Sequence, residues 1–289
     1  MIIIKLTGGI GNQLFQYSIG RVLSEKSRDL ICFDISSYQW DNLRTFELGF
    51  LNSEYLIMNN GVIVFKKLNF FRNIKHLLYK SSNKPLVHLT ESDFNFDINF
   101  ENFPNKNVIL EGYWQSEKYF NKHREIILKE VVLIKKKTIL CDHFFNLIYG
   151  NINSVSMHIR RGDYLMNEVT KNYHGVLNEE YYDNAMDYFR NLNPNVTFFI
   201  FSDDKKYVND RFSQYRDCII VPKMSTDIED LFLMSTCSNH IIANSTFSWW
   251  GAWLNKNKLK KVIAPKTWFL NSEIQSKTND LYPTEWIKM

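Results

Sequence analysis

One arrangement limits the fold more than any other. Twice along the chain a short apolar run stops at a loop-forming cluster and hands over to a helical period. Residues 2–6 (Ile-Ile-Ile-Lys-Leu) read as a buried strand, Gly8-Gly9-Ile10-Gly11-Asn12 as a glycine-rich turn, and residues 13–26 as a helix. Leu14, Tyr17, Ile19, Val22 and Leu23 share that helix's apolar face, and residues 30–33 read as the next strand. The pattern restarts at Ser154: a strand to Ile159, a helix from Glu179 to Leu192 ending before Pro194, and a strand over residues 196–201. Further strands are expected over 218–221, 240–243 and 262–264, with helices over 227–237 and 249–255. Residues 108–112 read as a strand and 116–132 as a helix with Ser116 as its N-cap, while residues 36–108 show no clean period. Strands alternating with helices predict an α/β protein with two parallel sheets, helices on both faces, and ligands at the carboxyl ends of the strands. The expected division is residues 1–150 and 151–289, with the boundary in 135–153 and the last residues free to pack back on the first half.

A length of 289 residues suits two such domains. A net charge of +4 with scattered Lys and Arg fits a small anionic substrate and argues against nucleic acid. Lys135-Lys136-Lys137 is the one basic run, read as a solvated face; peripheral attachment to anionic lipid stays open. Cys32, Cys141, Cys218 and Cys237 form no Cys-x-x-Cys pair and no zinc spacing, so they read as reduced thiols of a cytoplasmic protein. No signal peptide or membrane span is expected. The sequence sets no oligomeric state.

Chemistry is concentrated at the predicted strand ends. His158-Ile159-Arg160-Arg161-Gly162-Asp163-Tyr164 places adjacent guanidinium groups where the strand stops. Side chains alternate along a strand, so two working arginines need a backbone turn, which Gly162 is expected to supply. Guanidinium matches phosphate oxygens, whereas the alternative is a surface pair salt-bridged to Asp163. The first glycine loop suits a phosphate at a helix N-terminus or serves packing alone, since it is neither a dinucleotide fingerprint nor a P-loop. Ser202-Asp203-Asp204 reads either as carboxylates for a base or ribose, or as a helix N-cap run. In residues 244–253 (Asn-Ser-Thr-Phe-Ser-Trp-Trp-Gly-Ala-Trp), Trp250 and Trp253 are expected to pack, and Ser245, Thr246 and Ser248 to meet a ligand. No Asp-x-Asp occurs, so charge stabilisation by arginine and backbone is expected, without metal or cofactor.

Residues 8–17 (Gly-Gly-Ile-Gly-Asn-Gln-Leu-Phe-Gln-Tyr), 44–48 (Arg-Thr-Phe-Glu-Leu) and 112–120 resemble the N-terminal half of bacterial α-1,2-fucosyltransferases, glycosyltransferase family 11. Residues 158–164, 201–204 and 245–254 resemble that family's C-terminal motifs, in the family's order. The resemblance implies a GT-B fold, two Rossmann-like domains facing a cleft, and inverting transfer of fucose from GDP-β-L-fucose to the 2-hydroxyl of a galactoside. The acceptor would be a galactose-terminated glycan or lipid-linked oligosaccharide of a surface polysaccharide or lipopolysaccharide. It further implies that Arg160 holds the β-phosphate with Arg161 in support, that His158 and Asp203 or Asp204 hold guanosine, and that Ser245, Thr246, Phe247 and Ser248 line the diphosphate. Gly9, Gly11 and Asn12 would close on it from the other domain.

For the base that activates the acceptor, Glu168 ranks first, its spacing from His158 being similar to that of the catalytic Glu in α-1,6-fucosyltransferases. Asp163, also an orienting partner for the arginines, and His174 are the other candidates. Arg44, Glu47, Tyr113, Trp114 and Gln115, together with His174, are candidates for the acceptor, Trp114 reading equally as core. Two alternatives stay open: another nucleotide-sugar donor, and a non-catalytic sugar-binding protein on the same scaffold.

Overall fold

The computed structural model describes residues 1–67, 85–102, 107–133, 136–162 and 172–289. Contacts divide the chain into two units: Met1–Val132 with Asn279–Leu281, and Leu133–Thr278 with Tyr282–Met289. The division falls before the helix Ile139–Tyr149, whose Cys141, Phe144 and Ile148 share a core with Leu233, Met234 and Cys237 of the second unit. Asn279–Leu281 groups with the first unit, where the Asp280 carboxylate accepts from the Phe96 amide (3.0 Å) and pairs with Lys118.

The first unit holds six described strands: β1 (Ile2–Lys5), β2 (Ile31–Asp34), β3 (Tyr55–Asn59), β4 (Val62–Lys67), β5 (Leu86–Thr90) and β6 (Asn107–Glu111). Their order is β4-β3-β2-β1-β6-β5. All neighbours are parallel except β3 and β4, a hairpin closed by Asn60 (φ 47) and Gly61 (φ 77), so the sheet is mixed where an all-parallel one was expected. Helix α1 (Ile10–Ser27) runs buried along most of its length. In place of one helix over 116–132 there are two 3-10 turns, Glu117–Tyr119 and Asn121–His123, and a short α2 (Arg124–Glu130). Phe120, fully buried with φ −141°, leaves the helical region between them, so tertiary packing overrides the local period.

The second unit is all parallel: β7 (Ser154–Ile159), β8 (Thr197–Ser202), β9 (Cys218–Ile220), β10 (Asn239–Ile241), β11 (Val262–Ala264) and β12 (Ile287–Lys288), ordered β12-β11-β10-β7-β8-β9. β7 is buried at all six positions, as a strand covered on both faces must be. Counting α3 as Ile139–Tyr149, the helices that follow are α4 (Glu179–Leu192), α5 (Lys205–Phe212), α6 (Asp227–Thr236), α7 (Thr246–Leu254) and α8 (Ser272–Gln275). Trp249, Trp250 and Trp253 of α7 are all buried, Trp249 lying parallel to Trp253 at 6.2 Å and tilted on Trp286 at 5.4 Å. Each sheet reverses its strand order beside its first strand, between β1 and β6 in one unit and between β7 and β10 in the other. In open α/β sheets the crevice at such a reversal, at the carboxyl ends, is where ligands bind. No helix among the described residues is long and apolar enough to cross a membrane.

Candidate functional site

In the second unit the reversal is flanked by three strand ends. Arg160 and Arg161 follow β7, Asp203 and Asp204 follow β8, and residues 244–248 run from the loop after β10 into the first turn of α7. Asp203 organises the first two. Its Oδ1 accepts from the Arg161 amide at 2.9 Å, and its Oδ2 faces Arg160 Nη1 at 3.1 Å. Gly162 is what allows this approach: a Cβ there would stand 3.0 Å from Asp203 Oδ2. It leaves open space for that carboxylate, and its φ lies outside the left-handed region. Arg161 turns away from Arg160, pairing through Nε with Asp204 Oδ2 (3.4 Å) and lying 3.8 Å over the Tyr207 ring.

The Ser-Asp-Asp segment opens a helix, as its N-cap reading expected. Asp204 is the N-cap of α5, accepting from the Tyr207 amide at 3.0 Å, and Ser202 Oγ accepts from the Asp204 amide at 3.0 Å. Asp203 pairs with Arg160, the orienting role that the sequence reading offered to Asp163. Asp163 and Glu168 lie outside the described residues.

Helix α7 starts at the reversal. Its N-cap, Ser245, makes no side-chain capping bond, so the first-turn amides of a nine-residue helix are not satisfied by their own cap. Ser245, Thr246 and Phe247 are half-buried beside them. Ser248 is fully buried and bonded within the loop, accepting from the Ala243 amide (3.2 Å) and donating to the Ser245 carbonyl (3.2 Å), so its hydroxyl shapes the turn. His158 is buried with its ring 5.6 Å from that of Phe247, which joins the end of β7 to the start of α7. His174 belongs to this unit. Its ring packs against Tyr173 (4.8 Å) and Phe269 (5.1 Å), and Asn244 Nδ2 donates to its carbonyl at 2.9 Å.

The first unit's reversal is built differently. The loop after β1 and the loop after β6 are tied by buried amide side chains: Gln16 Oε1 accepts from the Thr7 amide (3.2 Å), and its Nε2 donates to the Gly112 carbonyl (2.9 Å). Gln115 Nε2 donates to Asn12 Oδ1 at 3.0 Å. Gln13 Nε2 donates to the carbonyls of Gly8 (3.0 Å) and Thr45 (2.7 Å), and its Oε1 accepts from the Glu47 amide (2.9 Å). Arg44 lies beside the glycine loop, 3.7 Å from where a Gly9 side chain would begin. Gly9 caps α1 without a side chain, and Gly11 is buried in its first turn.

Of the aromatics expected to face a sugar, Tyr113 is half-buried, but Trp114 is only 4% exposed and packs edge-on against Tyr119 at 5.5 Å. Trp114 is thus part of the loop's core. Sequence reading passed over Glu91, just beyond β5, whose two carboxylate oxygens accept from the amides of Tyr113 (2.6 Å) and Trp114 (2.8 Å). Burial pushes its carboxyl up to about 7, with Asp93 adding to the rise and the two amides opposing it.

Three comparisons bear on this architecture. The profile of Glycosyl transferase family 11 matches residues 83–289. An alpha-1,2-colitosyltransferase of Escherichia coli is 34% identical over all of this chain and 99% of its own length. The O-antigen biosynthesis glycosyltransferase WbnK of Escherichia coli is 32% identical, covering 98% of this chain and 99% of that protein. Among solved structures, the fucosyltransferase NodZ from Bradyrhizobium superposes with a TM-score of 0.50 at 12% identity, over 86% of this chain and 91% of that one. Two α/β units whose strand orders both reverse beside the first strand, the likeness to NodZ, and the family match agree: the chain is a glycosyltransferase with the GT-B fold and belongs to glycosyl transferase family 11.

Proposed function

We propose that the protein transfers L-fucose from GDP-β-L-fucose to the 2-hydroxyl of a galactoside, with inversion and without a metal ion, in the synthesis of a bacterial surface glycan. The observation that carries this reading is the Arg160–Asp203 arrangement beside the start of α7. Departure of GDP leaves extra negative charge on its phosphate. A guanidinium already fixed by a carboxylate, with helix amides on the adjacent strand end, stabilises that charge without reorganising. Arg161, stacked on Tyr207, supports the loop that aims Arg160. His158 and Phe247 border the same strand ends and suit the guanosine, and Ser245 and Thr246 suit the diphosphate. The acceptor is assigned to the first unit's loops, where Arg44, Glu47, Tyr113 and Gln115 offer amides, a hydroxyl and charge to sugar hydroxyls.

A second reading differs only in the sugar. The 34% identical relative is a colitosyltransferase, and colitose is fucose without its 3-hydroxyl. Incubation with GDP-fucose and GDP-colitose in parallel, against lactose and type 1 and type 3 galactosides, separates the two readings by which donor is consumed. A thermal-shift series with GDP, UDP and ADP tests the nucleotide first, since a ligand at 100 times its Kd stabilises by about 2.7 kcal/mol. A response to UDP and none to GDP overturns both. Full turnover in excess EDTA is the expected result for metal independence.

A further inference from the structure

We propose that Glu91 is a positioning residue for the acceptor: by capturing two successive amides it fixes the loop 112–115, and so decides how tightly the sugar that receives the glycosyl group is held. This rests on the acceptor assignment above, and it concerns a residue that touches no substrate itself. Three features carry it. Both carboxylate oxygens are engaged, one on the Tyr113 amide at 2.6 Å and one on the Trp114 amide at 2.8 Å. The loop they hold has a backbone that would not persist unaided: Trp114 has φ 59 and Gly112 has φ 145. A Cβ at Gly112 would collide with Glu91 and lie 2.9 Å from its carboxylate, so loop and carboxylate are fitted to each other.

The loop in turn carries the groups assigned to the sugar. Gln115 reaches Asn12, and Gln16 bonds the Gly112 carbonyl, both at the reversal between β1 and β6. Glu91 approaches from the outer strand β5, where its own amide donates to the Glu111 carbonyl at 2.9 Å. It therefore acts as a strut from the sheet to the loop. A neutral amide in its place keeps the shape but leaves only one acceptor oxygen, and its NH₂ then faces an amide N–H.

The test is Glu91→Gln in the full-length protein, with lactose as acceptor and GDP-fucose or GDP-colitose as donor, whichever the wild type consumes. The expected result is a rise of about tenfold in acceptor KM, kcat changed by less than threefold, and GDP affinity unchanged by thermal shift. Amide exchange of the peptide spanning Tyr113 and Trp114 should speed up about tenfold, with exchange over β7 and α7 unaltered. Gly112→Ala, which disturbs the same loop from the other side, should give the same separation of KM from kcat. Unchanged KM and unchanged exchange overturn the proposal; so does a parallel loss of GDP affinity and acceptor affinity, which marks general destabilisation. If the wild type consumes no donor at all, the functional reading fails, and the exchange measurement alone decides whether Glu91 holds the loop.

Discussion

The two units place loops at equivalent strand ends and secure them by opposite means. In the second, charge does the securing: Asp203 faces Arg160, Asp204 faces Arg161, and an uncapped helix start stands alongside. In the first, neutral amides do it. Gln13, Gln16 and Gln115 knit the loops together, and the carboxylate of Glu91 is spent on backbone N–H groups. Ion pairs fix a cation where charge develops during reaction. Amide clips leave a surface of modest potential, suited to a neutral sugar with many hydroxyls. Under the proposed function, the same architecture gives an anion-handling end and a sugar-handling end according to which side chains close its loops.

The sharpest attempt to break that contrast is Arg160→Ala. Transfer should fall by ~10²–10³, with an intact far-UV spectrum. Arg160→Lys should recover little, because the planar fork is lost. A near-normal rate in either variant removes the charge-handling role. Next, Thr246→Asp puts a negative charge in the first turn of α7, and GDP affinity should weaken about tenfold in a calorimetric titration. An unchanged affinity means that the helix start does not meet the phosphates.

On the amide side, Gln16→Leu strands the Thr7 amide and the Gly112 carbonyl. Urea unfolding should register a loss of about 1–3 kcal/mol, with acceptor KM raised and GDP affinity kept. Acidity separates the two ends further. The Glu91 carboxyl lies at about 7, above the ordinary 4.5, with Asp93, Tyr113 and Tyr119 as its titratable neighbours. Between those values the folded chain holds a proton that the unfolded chain has released. Its contribution is therefore complete below pH 4.5 and is lost as pH rises through 7. The Tm advantage of wild type over Glu91→Gln should shrink from pH 5 to pH 8. A difference that grows with pH refutes the raised carboxyl, and leaves the hold of Glu91 on the loop to the exchange measurement. Smallest of all, Glu273→Ala breaks an exposed pair with Lys277 (3.8 Å) and should change stability by less than ~0.5 kcal/mol.

Much of the second unit was legible because its signals are local. β7 and α4 have the limits read from the sequence, since a continuous apolar strand and an Asn-capped amphipathic helix each announce themselves. The first unit was less so. β3, β4 and β5 lie in a stretch without a clean period, although Asn60-Gly61 is a strong hairpin signal that could have found β3 and β4. Glu91 was invisible for a different reason. Its partners are backbone amides some twenty residues further on, and a backbone amide has no letter in the sequence. The Arg160–Asp203 pair was hidden in the same way: nothing local says that a carboxylate after one strand will reach the guanidinium after its neighbour.

The tryptophan cluster of α7 has a practical outcome. Five of the chain's seven indoles, Trp249, Trp250, Trp253, Trp268 and Trp286, sit buried in the second unit, whereas the first has buried Trp114 and Trp40, which is 87% exposed. Intrinsic emission will therefore follow mainly the melting of the second unit, with Trp114 reporting a smaller part from the first, and circular dichroism, which weighs both, should reveal any separate transition of the first.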